Sequence, residues 1–338
     1  MILEDRIIAF EKLGAIIVDP KSKFLSNDIV FKAETNNYWF VEYSIRFSIF
    51  SLSRMLSSGN LRPWISSHNF IQSNKNIGVI IPSNIPFVGF YDFLSIILSG
   101  NNFVGQLSYS NNILLPHLAK FLLNINSQFS EYISFEKEIK SKDIDMLIAT
   151  GDDNSAAYFN YKYADIPKLI RKHRNSIGVL NGCEALIDLE KLSSDVYMYF
   201  GLGCRSVSKI FVPRNFDFHI VKKAFKNNKF FCVNNNYMQV YSYQKTMLQM
   251  HNIHFIDFDN LLLVESDQIN APVSVLFYQF YDNMNEVLDY VNIYKNKIQC
   301  IVSNDARIRD SVNFGNSQLP MLNDFPDGVD VLDFLSIN

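Results

Sequence analysis

The sequence lacks several features that assign a chain to a class at once. Only four of its 338 residues are cysteine, at positions 183, 204, 232 and 300, and their spacing matches neither a zinc site nor a disulfide framework. No apolar run approaches the ~20 residues that span a bilayer. A net charge of −3 argues against a general nucleic-acid or anionic-membrane surface. We therefore predict no metal site, no membrane span, no nucleic-acid partner and reduced thiols.

The start of the chain also lacks the character of a secretory signal. Glu4 and Asp5 stand where a signal peptide would be basic, and Leu3, Ile7 and Phe10 follow helical spacing. The predicted location is cytoplasmic.

The chain does have enough length and hydrophobic content for two domains. Strand and helix patterns alternate along it, which predicts parallel βαβ units and an α/β fold. The predicted strands are 77–81, 103–107, 145–150, 177–180, 209–212, 273–280 and 300–303, with one more near 261. The predicted helices are 86–98, 113–125, 154–163, 184–200, 218–225, 237–250 and 285–294. We place one domain at 1–198 and a second at 199–308, and we expect the segment 309–338 to pack back on the first.

Residues 199–213 place a cysteine between glycines and an incipient strand. The neighbouring glycines let backbone and substrate approach the Cys204 sulfur, and Arg205 and Lys209 would supply positive charge that favours a thiolate. This pattern is typical of a nucleophile. The alternative is that Cys204 is a small buried hydrophobe, as most lone intracellular cysteines are.

A second motif, residues 78–87, is an apolar strand that runs into an asparagine between two prolines. Asn84 follows Pro82 and Ser83 and precedes Pro86. A neutral amide donates hydrogen bonds without opposing the approach of a thiolate, so Asn84 suits the stabilisation of an oxyanion. A turn-forming asparagine explains the pattern equally well.

No Gly-x-Gly-x-x-Gly sequence follows a predicted strand. The better phosphate-binding candidate is the turn at Thr150 and Gly151, where an apolar strand meets a helix whose N-terminal amides would face an anion. The alternative is that one of residues 153–155 simply caps that helix.

Together these motifs resemble those of the aldehyde dehydrogenase superfamily. The run 81–87 is similar to its strand-end Pro-x-Asn-x-Pro motif, and Gly203-Cys204 followed by strand 209–212 is similar to its catalytic-cysteine motif. Within the superfamily the whole chain, as far as 312–315 and 322–330, most resembles the fatty acyl-CoA reductases, the branch named for bacterial luminescence. The resemblance implies an aldehyde dehydrogenase-like fold, with a Rossmann-like nucleotide-binding domain followed by an α/β catalytic domain.

The resemblance also implies roles for individual residues. Cys204 would attack an acyl thioester, and the Asn84 amide with the Cys204 backbone N–H would hold the oxyanion. NADPH, or NADH, would bind along six residues at strand ends, namely Pro82, Ser83, Gln106, Ser108, Thr150 and Gly151.

The chain departs from the superfamily pattern in ways that bear on chemistry. No glutamate lies within 171–176, where hydrolytic members carry the one that activates water, and an amide, Gln268, falls near the place of a second glutamate. Both departures point to a reductase that protects its acyl-enzyme from water. Gln106 stands where relatives have a lysine and Asp152 where they favour serine, so we expect weak dinucleotide binding.

The basic run at 171–174 allows two interpretations. We expect Arg171, Lys172, His173 and Arg174 to lie on a solvated face, and the alternative is contact with a phosphate of CoA or NADPH.

The sequence thus predicts a fatty acyl-CoA reductase that forms aldehydes through an S-acyl-cysteine intermediate. Two alternatives are a short-chain CoA-acylating aldehyde dehydrogenase, and an acyl-transfer or structural subunit that no longer reduces. The expected partners are an acyl-CoA or acyl-protein substrate, an acyl-activating enzyme that supplies it, and further copies of the chain.

Overall fold

A computed structural model describes residues 1–68, 73–228 and 234–337. Two compact units divide the chain: Met1–His173 with the stretch from Pro320 onward, and Arg174–Leu319. The sequence prediction set the first boundary at 198/199 and the return at 309. The boundary at 173/174 has a physical cause, because the strand Asn175–Val179 pairs with strands of the second unit.

The first unit contains a five-stranded parallel sheet. Its strands are β1 (Asn76–Ile81), β2 (Asn102–Leu107), β3 (Ile133–Glu136), β4 (Met146–Thr150) and β5 (Lys168–Arg171). Their spatial order is β3-β2-β1-β4-β5. The chain therefore proceeds outward in one direction from β1 and then in the other from β4, which makes the β1/β4 junction the switch point of the sheet.

Seven helices precede the second unit in the described part of the first: α1 (Leu3–Val18), α2 (Asn27–Asn36), α3 (Glu42–Met55), α4 (Ser58–Ser66), α5 (Phe90–Ser99), α6 (Leu114–Ile125) and α7 (Asp153–Lys162). Aromatic rings join several of them to the sheet. Phe93 of α5 packs edge-on against Phe10 of α1 at 6.1 Å and against Phe103 of β2 at 5.0 Å between ring centroids. All three rings are fully buried, and each such burial stabilises the fold by about 1.5–3 kcal/mol.

Helix α5 begins four residues later than the sequence pattern predicts. Phe87 and Gly89 have φ values of 56° and 86°, which an α-helix does not accommodate, so the chain reaches Phe90 through an irregular turn. That turn follows β1 and contains Asn84.

The second unit contains a six-stranded sheet of order β11-β6-β7-β10-β9-β8. Its strands are β6 (Asn175–Val179), β7 (Val207–Pro213), β8 (Ile256–Asp257), β9 (Leu262–Glu265), β10 (Val275–Tyr281) and β11 (Ile298–Val302). Its helices are α8 (Leu186–Tyr197), α9 (Phe218–Lys226), α10 (Asn235–Met250) and α11 (Met284–Tyr294). All strand pairs are parallel except β8 with β9.

The last helix, α12 (Val331–Ile337), belongs to the first unit and packs on α5. A half-buried ion pair of His68, two residues after α4, with Asp330, just before α12, joins the two helices, with Nε2 and Oδ2 2.7 Å apart. No helix among the described residues is long and apolar enough to cross a membrane.

Candidate active site

The carboxyl edge of the first sheet gathers the residues that the sequence singled out for cofactor binding. Pro82 to Asn84 follow β1, Ser108 follows β2, and Gly151 follows β4. Because β1 lies between β2 and β4, these segments are neighbours at one edge of the sheet. Ligands of open parallel sheets bind at this kind of edge, beside the switch point.

The segment after β1 is held by two asparagine side chains. Asn111 donates from Nδ2 to the carbonyl of Pro82, and Asn37 donates from Nδ2 to the carbonyl of Ser83, each at 2.8 Å. Both donors are more than nine-tenths buried. Asn84, the next residue, is half-buried. The hydrogen bonds to the carbonyls of Pro82 and Ser83 fix the backbone that leads into it.

Gln106, near the end of β2, makes a hydrogen bond within the protein. Its Oε1 accepts a hydrogen bond from the backbone N–H of Ile139 at 2.8 Å, in the connection from β3 to β4. Within the described residues its Nε2 has no protein partner. Gln106 thus anchors a loop with one end of its amide and leaves the other end, a neutral donor, for a ligand.

The turn after β4 needs a glycine and ends in a helix cap. A Cβ on Gly151 would lie 2.5 Å from the Cβ of Ser155, so no larger residue fits there without movement. Asp152 caps α7, and its carboxylate accepts from the Ser155 N–H at 2.8 Å. This hydrogen bond lowers the pKa of Asp152, so a carboxylate already occupies the N-terminus of the helix.

The basic run divides into buried and exposed members. Arg171 is buried at the end of β5, where its Nη1 lies 2.7 Å from Asp92 of α5 and its Nε lies 3.7 Å from Asp327. The expectation of a solvated Arg171 is therefore wrong, because two carboxylates draw it inward. Lys172 and His173 are exposed, as expected.

A polar cavity of about 460 Å³ lies elsewhere in the first unit. Its lining includes Asn76 and Asn102, the first residues of β1 and β2, together with Glu138 and Lys140. The lining extends from there to Glu136, the last residue of β3, and to Ile139, whose N–H is bonded to Gln106. The cavity therefore borders Gln106, but neither Ser83 nor Gly151 lines it.

In the second unit, α8 leads to Cys204 through a left-handed turn. Tyr199 and Phe200 have φ values of 54° and 56°, and Gly201 follows at 76°. Left-handed backbone costs roughly 1–2 kcal/mol for a residue other than glycine. Burial of both aromatic side chains holds the turn in place.

Cys204 itself lies at a corner of a β-turn. The N–H of Ser206 donates to the carbonyl of Gly203 at 2.9 Å, so Cys204 and Arg205 are the two central residues. The thiol-bearing residue is half-buried. The hydroxyl of Ser176 on β6, fully buried, donates to the carbonyl of Cys204 at 2.9 Å.

The residues after Cys204 are anchored as well. Arg205 donates from Nε to the carbonyl of Ser317 at 2.5 Å and from Nη2 to the sulfur of Cys300 at 3.5 Å. Ser206 donates to the carbonyl of Met198 at 3.1 Å. The turn is therefore preorganised, which a reacting group requires.

Asp195 of α8 fixes the loop that receives Arg205. Its carboxylate accepts from the N–H groups of Gly315 and Ser317 at 2.6 and 2.9 Å. Burial raises the pKa of Asp195 to about 6, and these hydrogen bonds oppose that shift.

Lys209 does not supply the positive charge that the sequence suggested for the thiol. In the β6–β7 register Lys209 faces Ile177, so its side chain leaves the sheet on the side opposite to that of Ser176. There its ammonium donates to the carbonyls of Ser266 and Asp267 and to Gln279 Oε1, at 2.7 to 3.0 Å. Burial lowers the pKa of Lys209 to about 8.

Glu184, just before α8, has a structural task. Both carboxylate oxygens of Glu184 accept from backbone N–H groups, of Asn181 at 2.6 Å and of Gly182 at 3.0 Å. Gln268 is exposed. Of the other cysteines, Cys183 is exposed and Cys300 is buried, whereas Cys232 lies outside the described residues.

One group of potential metal ligands occurs among the described residues, His68 with Asp330 and Asp333. The 2.7 Å between His68 Nε2 and Asp330 Oδ2 is a hydrogen-bond length. Two ligand atoms at metal bonds of about 2.0–2.2 Å lie farther apart in octahedral or tetrahedral geometry. We interpret the group as an ion pair.

Comparison with solved structures identifies the fold. An acetylating aldehyde dehydrogenase from Geobacillus thermoglucosidasius is similar with a TM-score of 0.64 and 11% identity, over 94% of this chain and 83% of that one. Aldehyde dehydrogenase 21 from Physcomitrella patens, solved with the reaction product succinate, gives a TM-score of 0.66 and 12% identity over 91% and 74% of the two chains. The chain has the aldehyde dehydrogenase fold. This confirms the fold predicted from the motifs.

One more solved structure supports the aldehyde dehydrogenase fold, and two other comparisons found no match. An indole-3-acetaldehyde dehydrogenase mutant from P. syringae, solved with NAD⁺ and IAA, has a TM-score of 0.65 and 10% identity over 92% of this chain and 74% of that one. No family model matches the sequence, and no curated protein matches it. At these identities the likeness establishes the fold alone.

The sequence analysis did not single out Ser176 and Asp195, two residues that organise the loop around Cys204. Ser176 begins an apolar strand as one more small residue, and Asp195 interrupts the apolar face of α8. A buried carboxylate in an amphipathic helix is a signal in itself, because burial is costly without partners. Nothing in the sequence distinguishes Ser176.

Proposed function

We propose that this protein is an NAD(P)H-dependent reductase of fatty acyl thioesters that works through an S-acyl intermediate on Cys204. The observation that carries the proposal is the half-buried Cys204 at the corner of an anchored β-turn, next to a strand of the aldehyde dehydrogenase fold. A structural cysteine would need none of this placement, since it would pack in the core as Cys300 does.

The proposed reaction has two stages. In the first, the Cys204 thiolate adds to the thioester carbonyl carbon, the carbonyl oxygen becomes an oxyanion, and its collapse expels the CoA thiolate and leaves the acyl group on sulfur. In the second, a hydride on the same carbon followed by cleavage of the carbon–sulfur bond gives the aldehyde and returns the thiolate. The Cys204 N–H and the Asn84 amide are the proposed oxyanion donors.

The residues at the carboxyl edge of the first sheet partly fit a dinucleotide. Gly151 gives close access to the α7 N-terminus, and Gln106 offers a neutral donor. The Asp152 carboxylate opposes a pyrophosphate at the same turn. When bound, the reduced nicotinamide supplies a hydride. We propose that binding is weak, with Pro82, Ser83, Ser108 and Thr150 as the remaining contacts.

Protection from water supports reduction over acid formation. The residues that fall nearest to the two superfamily glutamates are exposed or buried in an ion pair: Gln268 is exposed and Arg171 binds Asp92. Glu184 is used in a turn. None of these groups is a free general base, so the S-acyl group should await hydride.

A second candidate function is favoured by one observation, the carboxylate of Asp152 at the N-terminus of α7. If the carboxylate excludes the dinucleotide, the protein forms the acyl-enzyme and passes the acyl group to another thiol or amine without reducing it. Such a protein would act beside an acyl-activating enzyme as a transfer subunit.

Aldehyde formation tests the proposal. Purified protein is incubated with octanoyl-CoA or acetyl-CoA and with NADPH or NADH, and aldehyde is trapped as a hydrazone. We expect octanal in the presence of reduced cofactor. Cys204→Ser is the negative control, and Cys183→Ala the control that keeps activity. Acylation without aldehyde at any cofactor concentration would support the transfer subunit, and preference for acetyl-CoA the short-chain alternative.

A further inference from the structure

The β-turn that carries Cys204 has a central peptide, and the orientation of this peptide decides where the Cys204 carbonyl points. In a β-turn the peptide between the two central residues faces one of two ways, and the two ways differ by a flip. With Gly203 and Ser206 at its ends, that peptide here joins Cys204 to Arg205. The flipped, type II form requires a positive φ at the second central residue, and Arg205 is not among the residues with positive φ.

A buried side chain hydrogen-bonds this peptide in its observed orientation. Ser176 is fully buried on β6, and its hydroxyl donates to the carbonyl of Cys204 at 2.9 Å. C=O and N–H of a trans peptide point in opposite directions. The Cys204 carbonyl therefore points toward β6, and the Arg205 N–H points away from it.

This orientation has a chemical consequence for an oxyanion formed at the Cys204 sulfur. A carbonyl oxygen turned toward the reacting centre would repel the oxyanion, whereas a carbonyl bonded to Ser176 is removed from it. The hydroxyl also restrains the two torsion angles that flank this peptide, ψ of Cys204 and φ of Arg205, and so opposes its flip. Preorganised dipoles of this kind contribute most when charge develops.

We propose that Ser176 is a positioning residue for Cys204, acting through the central peptide of the turn. This inference rests on the proposed role of Cys204 as the nucleophile. It assigns Ser176 no contact with substrate, and it predicts an effect on the step in which the oxyanion forms rather than on substrate binding.

The test compares Ser176→Ala with a control of the same chemistry. Ser303 is also buried, and its hydroxyl donates to the carbonyl of Val179 at 2.9 Å and accepts from the Asp305 N–H at 3.1 Å. Ser303→Ala therefore removes a buried hydroxyl that donates to a strand carbonyl away from the turn. Single-turnover acylation by octanoyl-CoA is followed by intact mass, at saturating and limiting substrate. Ser176→Ala should acylate about tenfold more slowly or worse at saturation, with little change in half-saturating concentration.

Two further measurements exclude a merely structural effect. Alkylation of Cys204 by iodoacetamide forms no oxyanion, so its rate at a given pH should fall much less than the acylation rate. Ser176→Thr keeps the hydroxyl and should recover most of the acylation rate. If Ser176→Ala does not fold, Ser176→Gly removes the same hydroxyl and takes its place in the comparison.

The outcomes separate this inference from the proposed function. Equal acylation rates for folded Ser176→Ala and Ser303→Ala would overturn the positioning role while leaving Cys204 as nucleophile. Equal losses in alkylation and acylation would also overturn it, because they indicate a general effect on the thiol. A wild-type protein that takes no acyl group would instead refute the proposed function.

Discussion

The carboxylate of Asp152 accepts a hydrogen bond from the Ser155 N–H at 2.8 Å and so occupies the N-terminus of α7. An anionic ligand at that turn meets a fixed negative charge instead of free amides. The carboxylate that caps the helix should therefore weaken the binding of a dinucleotide phosphate at this turn. Substitution of Asp152 tests this conflict.

Replacing Asp152 by serine should strengthen NADPH binding. Serine is an equally good helix cap, so the fold should be retained while the carboxylate is removed. We expect NADPH to bind about threefold to tenfold more tightly, a change of roughly 0.7–1.4 kcal/mol, and the gain to shrink as salt is raised. Isothermal titration measures it.

Asp217→Ser is the matched control, because Asp217 caps α9 by accepting from the His219 N–H at 2.9 Å. It should leave NADPH affinity unchanged. Gln106→Lys adds a cation but removes the acceptor of the Ile139 N–H, at a cost of about 0.5–1.5 kcal/mol in stability. Tight binding by the wild type with no gain in Asp152→Ser would refute the proposed conflict.

The Asn84 amide should matter for acylation. Asn84→Ala removes the proposed donor to the oxyanion, and loss of such a donor typically costs about 100-fold or more in rate. Asn84→Asp keeps the shape but puts a negative charge where the oxyanion would form, so it should be at least as slow. Single-turnover acylation at saturating octanoyl-CoA measures both, and thermal unfolding checks that each variant is folded. Unchanged kinetics in either would return Asn84 to a turn-forming role.

The acyl-enzyme should persist in water. Because Glu184 is bonded to two backbone N–H groups and Gln268 is exposed, neither side chain is poised to activate water near Cys204. Without reduced cofactor the adduct should outlast a catalytic turnover many times over, with little free fatty acid. Rapid release of acid would contradict this, and loss of that release in Glu184→Gln would identify the base.

The fold was largely predictable because its strands are short apolar runs between helical patterns. β1, β2 and β4 lie within one residue of their predicted bounds. β3 and β5 escaped prediction because they have four residues each, with polar or charged members. Which sheet a strand joins is a tertiary property. The predicted boundary at 198/199 therefore places the strand that begins at Asn175 in the first domain, whereas it lies in the second compact unit.

The site was predictable in its residue types and less so in its interactions. Cys204 and Gly151 stand out by their neighbours in sequence. The direction of a side chain depends on strand register, which is why Lys209 looked like a partner of Cys204 and instead binds Ser266 and Asp267 on the other face. Arg171 looked solvated because Asp92 is distant in sequence.

The ion pair of His68 with Asp330 should make stability depend on pH. Burial lowers the pKa of His68, but hydrogen bonds to Asp330 and to the Trp64 carbonyl raise it by more, so the pKa lies above its ordinary 6.5. A raised pKa contributes stability that is fully present below pH 6.5 and is lost as pH rises through the folded-state value.

Thermal unfolding of the wild type and of His68→Gln between pH 5.5 and pH 9 measures this contribution. The wild type should exceed the variant most at the acidic end, and the difference should shrink at alkaline pH. His219→Gln is the control, since His219 is exposed and no ion pair among the described residues includes it. A difference that grows with pH would show that the pair is formed by neutral His68.

The central claim is that Cys204 carries the acyl group, and intact mass spectrometry tests it most directly. Wild type, Cys204→Ser and Cys183→Ala are each incubated with octanoyl-CoA, with and without NADPH. We predict one added octanoyl group on the wild type and on Cys183→Ala, none on Cys204→Ser, and loss of the adduct as octanal when NADPH is added. Equal labelling of Cys204→Ser, or no labelling of the wild type, would contradict the account.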